Sequence, residues 1–158
     1  MDNATHNRIV SFIWGVADDV LRDVYIRGKY RDVILLMTVI RRLDCLLEST
    51  KTAVVKENDF YEKMNFTDKS GLIKITKYPF YNTSSYTLKK LLDEPNFIKD
   101  NLIDYLNDLS ENVQKIISKF KFCNQLETLV ENNCLYSLIK KLTDSDINLS
   151  LYSEKITG

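Results

Sequence analysis

Apolar residues recur every three or four positions through the first third of the chain, with polar residues between them. This spacing predicts an amphipathic helix over about residues 7–24. Residues 33–47 are apolar almost all round, which is typical of the central helix of a bundle, and Asp32 is the predicted N-cap. A basic segment, residues 27–31, is predicted to hinge these two helices. A weaker helix is predicted from about Lys51 to Met64.

The pattern changes over residues 65–86. Gly71 and Pro79 interrupt helical periodicity, and residues 72–78 alternate in part as a short strand does. We therefore expect an ordered, irregular excursion here with at most a small hairpin. Beyond it, residues 83–85 offer an N-cap for a short helix over residues 86–92, which Pro95 would end.

Helical periodicity returns in the last third of the chain. It predicts helices over about residues 97–109, 110–120, 126–130 and 135–142. The fold class is therefore mostly α, a compact bundle of six or seven helices. Residues 1–146 are predicted to form one helical domain, and residues 147–158 a tail or the start of a linker.

Composition narrows the functional classes. Lys+Arg and Asp+Glu balance at 22 each, so affinity for nucleic acid must come from local patches. No run of about 18 apolar residues predicts a membrane span. The 3 cysteines are odd in number and widely spaced. Cys45 is expected to be a buried thiol, and the expected compartment is a reducing cytoplasm.

The usual catalytic constellations are absent from the sequence. Its one histidine, His6, excludes a histidine-based triad or a two-histidine metal site within the chain. The 4 glycines are too dispersed for a phosphate-binding loop, and no Pro-Pro dipeptide occurs. Asp18 and Asp19 are better read as a solvated helix stripe than as acid/base groups. We therefore predict no catalytic, cofactor or metal site in these residues.

Local positive charge is more informative. Residues 69–92 contain five lysines and no acid, interleaved with tyrosine and phenylalanine, and residues 112–126 contain three lysines and no acid. Lysines can contact phosphates and aromatic rings can stack on bases. The same residues can equally solvate a surface and fill a core. Within the apolar second helix, Arg41 or Arg42 is expected to pair with Asp44, Asp18 or Asp19, or to face a partner.

Two segments carry a family resemblance. Residues 12–48, FIWGVADDVLRDVYIRGKYRDVILLMTVIRRLDCLLE, resemble the opening of the modification (M) subunit of type I restriction-modification systems. Residues 80–150, beginning FYNTSSYTLKKLLDEPNFIKDNLIDYLNDL, are similar to the rest of that subunit's N-terminal helical domain. Both occur in the family's order and together span nearly the whole chain.

The resemblance implies a part of a larger enzyme. In such subunits the helical domain precedes a Rossmann-like domain that binds S-adenosylmethionine and methylates adenine at N6. Two M subunits and one specificity (S) subunit enclose double-stranded DNA, and motor-nuclease subunits join the restriction complex. The helical domain is implied to help close around DNA and to contact neighbouring subunits. Because the chain lacks Pro-Pro, the family's Asn-Pro-Pro-aromatic motif lies outside these residues. The chain would then be either an excised domain or a naturally shorter protein.

The charge pattern and the resemblance together lead to one hypothesis. The domain helps to enclose DNA and to assemble with other subunits, and it does not itself catalyse methyl transfer. The candidate phosphate contacts are seven basic residues: Arg27, Lys29, Arg31, Lys74, Lys77, Lys89 and Lys90. Two alternatives remain open. The chain could be a protein-interaction scaffold without DNA contact, or a fragment that competes with intact M subunits for assembly.

Overall fold

The computed structural model describes residues 3–16 and 29–143. Within these ranges there are eight α-helices, which we number in chain order: α1 (Asn3–Val16), α2 (Lys29–Leu47), α3 (Lys51–Lys63), α4 (Gly71–Thr76), α5 (Ile98–Asn107), α6 (Glu111–Lys119), α7 (Phe122–Glu131) and α8 (Leu135–Leu142). Short 3-10 helices occupy Glu48–Thr50, Lys90–Asp93 and Pro95–Phe97. The prediction of a mostly α bundle is confirmed.

The main core joins α2 to the second half of the chain. Ile34, Met37 and Ile40 of α2 are almost fully buried against residues of α5, α7, α8 and the Lys90–Asp93 turn. Burial of each such side chain contributes roughly 1.5–3 kcal/mol. On the opposite side of α2, Leu35 and Val39 are 48% and 49% exposed. The helix therefore has one buried face, where the sequence predicted burial almost all round.

The outer helices pack more lightly. Helix α1 reaches the core through Phe12 and Ile13, and its Ile9 packs with the buried Cys45, which confirms the expected burial of that thiol. Helix α4 packs on α3, and α6 packs on α7. No helix in the two described ranges is long and apolar enough to cross a membrane.

The strand-like interpretation of residues 72–78 was wrong, and the excursion over residues 65–86, for which at most a small hairpin was expected, contains none. Residues 71–76 form helix α4, and the described residues contain only one isolated antiparallel β-bridge, between Asn82 and Leu109. Helix α4 forms because Leu72 and Thr76, four positions apart, are both buried on one side of a single turn. Lys77 ends this helix in the left-handed conformation, with φ of 63°.

Several predicted helix boundaries also move. Helix α2 begins at Lys29, so Lys29 and Arg31 belong to its first turn and not to a hinge, and Asp32 lies inside the helix and is not its N-cap. Residues 86–92 give only a 3-10 turn over Lys90–Asp93. Pro95 begins the next 3-10 turn instead of closing a helix. The expectations for residues 17–28 and for the tail after Thr143 lie outside the described residues.

Candidate nucleic-acid interface

Three of the predicted contacts, Lys77, Lys89 and Lys90, lie at the two ends of an irregular segment, residues 77–90. Apart from the β-bridge at Asn82 and the start of the Lys90–Asp93 turn, its backbone follows no helix or strand, so most of its polar groups need other partners. At the first end, the buried hydroxyl of Thr76 donates to the Phe80 carbonyl oxygen at 3.0 Å and accepts from the Tyr78 amide at 3.3 Å. These two bonds fix the turn that follows α4.

The next part of the segment is tied to the start of α6. The side-chain amide of Asn112 donates to the Pro79 carbonyl oxygen at 2.8 Å. The Ser110 amide donates to the Tyr81 carbonyl oxygen at 2.9 Å, and the Tyr81 amide donates to the Ser110 hydroxyl at 3.3 Å. Ser110 precedes α6, as the sequence predicted, but its hydroxyl accepts from the segment and makes no cap bond to its own helix.

Asn82 holds the middle of the segment. Its side chain is buried, and its amide nitrogen donates to the Tyr105 carbonyl oxygen on α5 at 3.0 Å. Its side-chain oxygen accepts from the Ser84 amide at 2.7 Å and from Lys51 Nζ at 3.4 Å. A buried amide with all these bonds specifies one backbone path, because losing any one leaves a buried polar group unsatisfied.

Asp44 fixes the far end of the segment to α2, α5 and α8. Its Oδ1 accepts from the Leu88 amide at 3.3 Å and from the Tyr105 hydroxyl at 3.1 Å. Its Oδ2 accepts from Arg41 Nη1 at 2.7 Å, and Arg41 Nε donates to the Leu142 carbonyl oxygen at 3.1 Å. This confirms the expectation that an arginine of this helix pairs with Asp44.

The protonation of this cluster reflects its burial. Burial raises the pKa of Asp44 above its usual value, against the opposing effects of Arg41 and of its hydrogen bonds to Leu88 and Tyr105. Burial likewise lowers the pKa of Lys51 to about 8, against the attraction of Asp44 and Asp108. Lys51 Nζ also lies 5.4 Å from the centre of the Tyr105 ring. Both groups therefore carry a desolvation cost that their partners only partly offset.

The four described lysines of the hypothesis are exposed on this rigid frame. Lys74 lies on α4 and Lys77 directly after it, while Lys89 and Lys90 lie at the start of the Lys90–Asp93 turn. None of the four forms an ion pair with a described residue. The four lysines form two pairs on different elements. Lys74 and Lys77 belong to α4 and its end, and α4 packs on α3, whereas Lys89 and Lys90 begin the Lys90–Asp93 turn, which packs on α5 and α8.

The remaining three candidates are not tested by this geometry. Arg27 lies outside the described residues, and the side chains of Lys29 and Arg31 also lie outside them, although their backbones belong to α2. The seven basic residues are therefore not assembled into one described surface.

The aromatic residues interleaved with the lysines largely pack on the protein itself. The Tyr78 and Phe80 rings stack on each other, with centres 5.3 Å apart and planes 13° apart. Tyr81 and Tyr86 are half-buried, and Tyr86 packs against the main core. These contacts favour a structural role for the rings, and they leave the lysines as the groups that face solvent.

Sequence reasoning did not find Lys51, Asn82 and Tyr105 as parts of this site. Each contributes through a partner that lies 23–61 residues away along the chain. The one available signal was Asp44, a carboxylate within an otherwise apolar helix, and it pointed only to a nearby arginine.

Comparison with curated proteins found no match, and comparison with solved structures also found none. A family model described as the HsdM N-terminal domain matches residues 9–142, which includes the core helices, the segment of residues 77–90 and its lysines. This match agrees with the resemblance carried by residues 12–48 and 80–150. The chain therefore belongs to the HsdM N-terminal domain family, the N-terminal domain of the M subunit of type I restriction-modification systems.

Proposed function

We propose that this domain helps a type I modification complex to enclose duplex DNA and to assemble with its S subunit and second M subunit, without itself catalysing methyl transfer. The observation that carries the DNA part is the set of exposed lysines, free of ion pairs with described residues, on a hydrogen-bonded backbone. Lysines held in this way can neutralise phosphates without first breaking an internal ion pair. Such contacts follow the DNA backbone and carry no sequence information, so sequence recognition would belong to the S subunit.

The catalytic step is assigned elsewhere in the subunit. The dispersed glycines of this chain and its lack of Pro-Pro give no loop for S-adenosylmethionine and no motif for the flipped adenine. S-adenosylmethionine would be held by the methyltransferase domain that such subunits carry. The motor-nuclease subunit would join only the full restriction complex, and the compartment would be the cytoplasm.

The salt dependence of DNA binding tests the proposal. Two double variants, Lys74→Ala with Lys77→Ala and Lys89→Ala with Lys90→Ala, remove one described pair each. Affinity for a short duplex of arbitrary sequence is measured by fluorescence anisotropy across a range of salt concentrations. Each lysine that meets a phosphate should reduce the slope of log K against log salt by about one unit. A second duplex of different sequence should show the same losses.

Lys115→Ala is the matched control. Lys115 is exposed and lies on α6, where its Nζ is 3.4 Å from Glu111 Oε1, so an ion pair already uses its charge. This variant should keep the wild-type slope. If both double variants also keep it, the DNA-contact proposal fails.

The scaffold alternative is favoured by a different surface. Phe60, Met64 and Phe66 are 49%, 54% and 48% exposed, and the Phe60 and Phe66 ring centres lie 6.1 Å apart at the end of α3. Clustered exposed apolar groups are typical of protein contacts. Two results together would establish the scaffold function instead. The double variant Phe60→Ser with Phe66→Ser would lose assembly with S and M subunits, and the wild type would have no measurable affinity for DNA.

A further inference from the structure

An open pocket of about 410 Å³ lies between α5, α6 and α7, and none of its lining residues belongs to the segment that carries the candidate DNA contacts. Its apolar wall comes from Ile103 and Leu106 of α5, Ile117 of α6, and Phe122 and Leu126 of α7. This volume falls within the range of pockets that hold ligands or anchoring side chains. The buried Phe122 and Leu126 also belong to the main core, so the wall is held rigidly.

One side of the pocket mouth is basic. Lys121, between α6 and α7, is the charged residue among those that line the pocket, and Lys119, which ends α6, lies two positions earlier and outside the lining. Residues 112–126 contain no carboxylate. Lys115 is already paired with Glu111, whereas neither Lys119 nor Lys121 forms an ion pair with any residue the structure describes. This side therefore attracts carboxylates.

The opposite side is acidic. A second cleft adjoins the pocket and shares Asn107 with it, and this cleft is lined by Asp59, Asp104 and Asp108 together with residues 83–86, the middle of the segment of residues 77–90. Burial and the neighbouring Asp104 both raise the pKa of Asp108, against the attraction of Lys51 and Lys69. A polyanion that enters the pocket would therefore lie beside these carboxylates, whereas the lysines at the two ends of residues 77–90 lie outside the pocket lining. The charges therefore favour an occupant whose carboxylates all lie on the α6–α7 side.

We propose that this pocket docks a segment of a partner polypeptide, which inserts an apolar side chain and places acidic residues against Lys121. The apolar wall would supply most of the affinity and the lysine would orient the segment. Asn107 and Asn124 at the mouth offer amide groups that can pair with an extended peptide backbone. Duplex DNA lacks an exposed apolar anchor and would meet the carboxylates of the adjoining cleft.

Short labelled peptides test this docking on the intact chain. The probe is a labelled peptide with the sequence Lys-Leu-Leu-Glu-Glu, and its binding is measured by fluorescence anisotropy. Replacing the leucines by serine should weaken binding at least about tenfold, because the anchor carries the affinity. Replacing the glutamates by glutamine should weaken it by about three- to tenfold.

Protein variants locate the binding. Lys121→Met keeps the apolar stem and removes the charge, so affinity should fall by about three- to tenfold. Lys121→Gly should give a similar loss, and backbone strain cannot explain it, because Lys121 has a positive φ of 51° that glycine adopts readily. Asn124→Trp, at an exposed position of the mouth, should block binding by filling the pocket. Lys140→Met, at an exposed lysine of α8 that does not line the pocket, should bind as the wild type does.

Two results would overturn the inference. The first is the absence of the expected specificity: the leucine and serine peptides bind with equal affinity, or Lys121→Met and Asn124→Trp both bind the leucine peptide with wild-type affinity. The second is binding of duplex DNA that is lost in Lys121→Met while no variant affects the peptide, which would assign this lysine to phosphate contact.

Discussion

Removing the hydroxyl of Tyr105 gives the most direct test of the buried cluster around Asp44. Tyr105 is 1% exposed, and its hydroxyl donates to Asp44 Oδ1 at 3.1 Å. Tyr105→Phe keeps the ring and its packing, so it removes little more than this bond. A hydrogen bond to a charged group contributes about 1.5–3 kcal/mol. Asp44 keeps its bonds from Arg41 at 2.7 Å and Leu88 at 3.3 Å, so we expect a loss near the lower limit, about 1.5–2 kcal/mol.

Urea unfolding measures this loss. The midpoint should fall with an unchanged m-value, and the melting temperature should drop by about 3–8 °C. The matched control is Tyr136→Phe on α8, a half-buried tyrosine whose hydroxyl makes no hydrogen bond in the described structure, and it should stay within about 0.5 kcal/mol of wild type.

A double-mutant cycle with Asp44→Asn then isolates the pairwise energy between the hydroxyl and the carboxylate. The reasoning is refuted if Tyr105→Phe behaves as Tyr136→Phe does, or if the cycle gives no coupling. Either result would mean that the two groups do not interact in the folded protein.

Two further predictions concern single lysines. The pKa of Lys51 in the folded protein, about 8, lies below its ordinary 10.5, so the folded state binds fewer protons between these values and its stability should rise with pH there. Relative to Lys51→Met, the wild type should gain about 1–2 kcal/mol from pH 8 to 10.5 in urea unfolding, and parallel pH profiles would contradict this. Lys121→Gly should raise the free energy of unfolding by about 0.5 kcal/mol, because a lysine is strained at a positive φ, whereas Lys115→Gly, at an exposed position in the middle of α6, should lower it by about 1 kcal/mol. Equal destabilisation by both glycines would argue against the left-handed conformation of Lys121.

Local periodicity was sufficient to predict most of the helices. Helices α3, α5 and α8 lie close to where apolar spacing predicted them, because each buries one regular stripe of side chains. The strand-like interpretation failed at residues 71–76, since a single turn contains too few positions to separate a helical period from alternation. The buried Leu72 and Thr76 settle the choice through contacts that the local sequence does not reveal.

The candidate site was predictable only in part. Exposed lysines are visible in the sequence as an acid-free stretch, and the structure places Lys74, Lys77, Lys89 and Lys90 at the surface. What holds the segment of residues 77–90 in place was not visible. Asn82 and Asp44 act through partners far along the chain, and hydrogen bonds of that kind follow from the fold rather than from local spacing.

The bond from Arg41 to the Leu142 carbonyl oxygen bears on how the protein is made. These residues are 101 positions apart, and the core partners of α2 also lie in the second half of the chain. A ribosome adds about 5–20 residues per second, so α2 would wait roughly 5–20 s after its own synthesis before α8 follows. During that interval its apolar face has few of its native partners. We therefore expect the nascent chain to be a substrate for chaperones that bind apolar helices, and variants that weaken α8 to prolong this exposure and to aggregate more readily than the wild type.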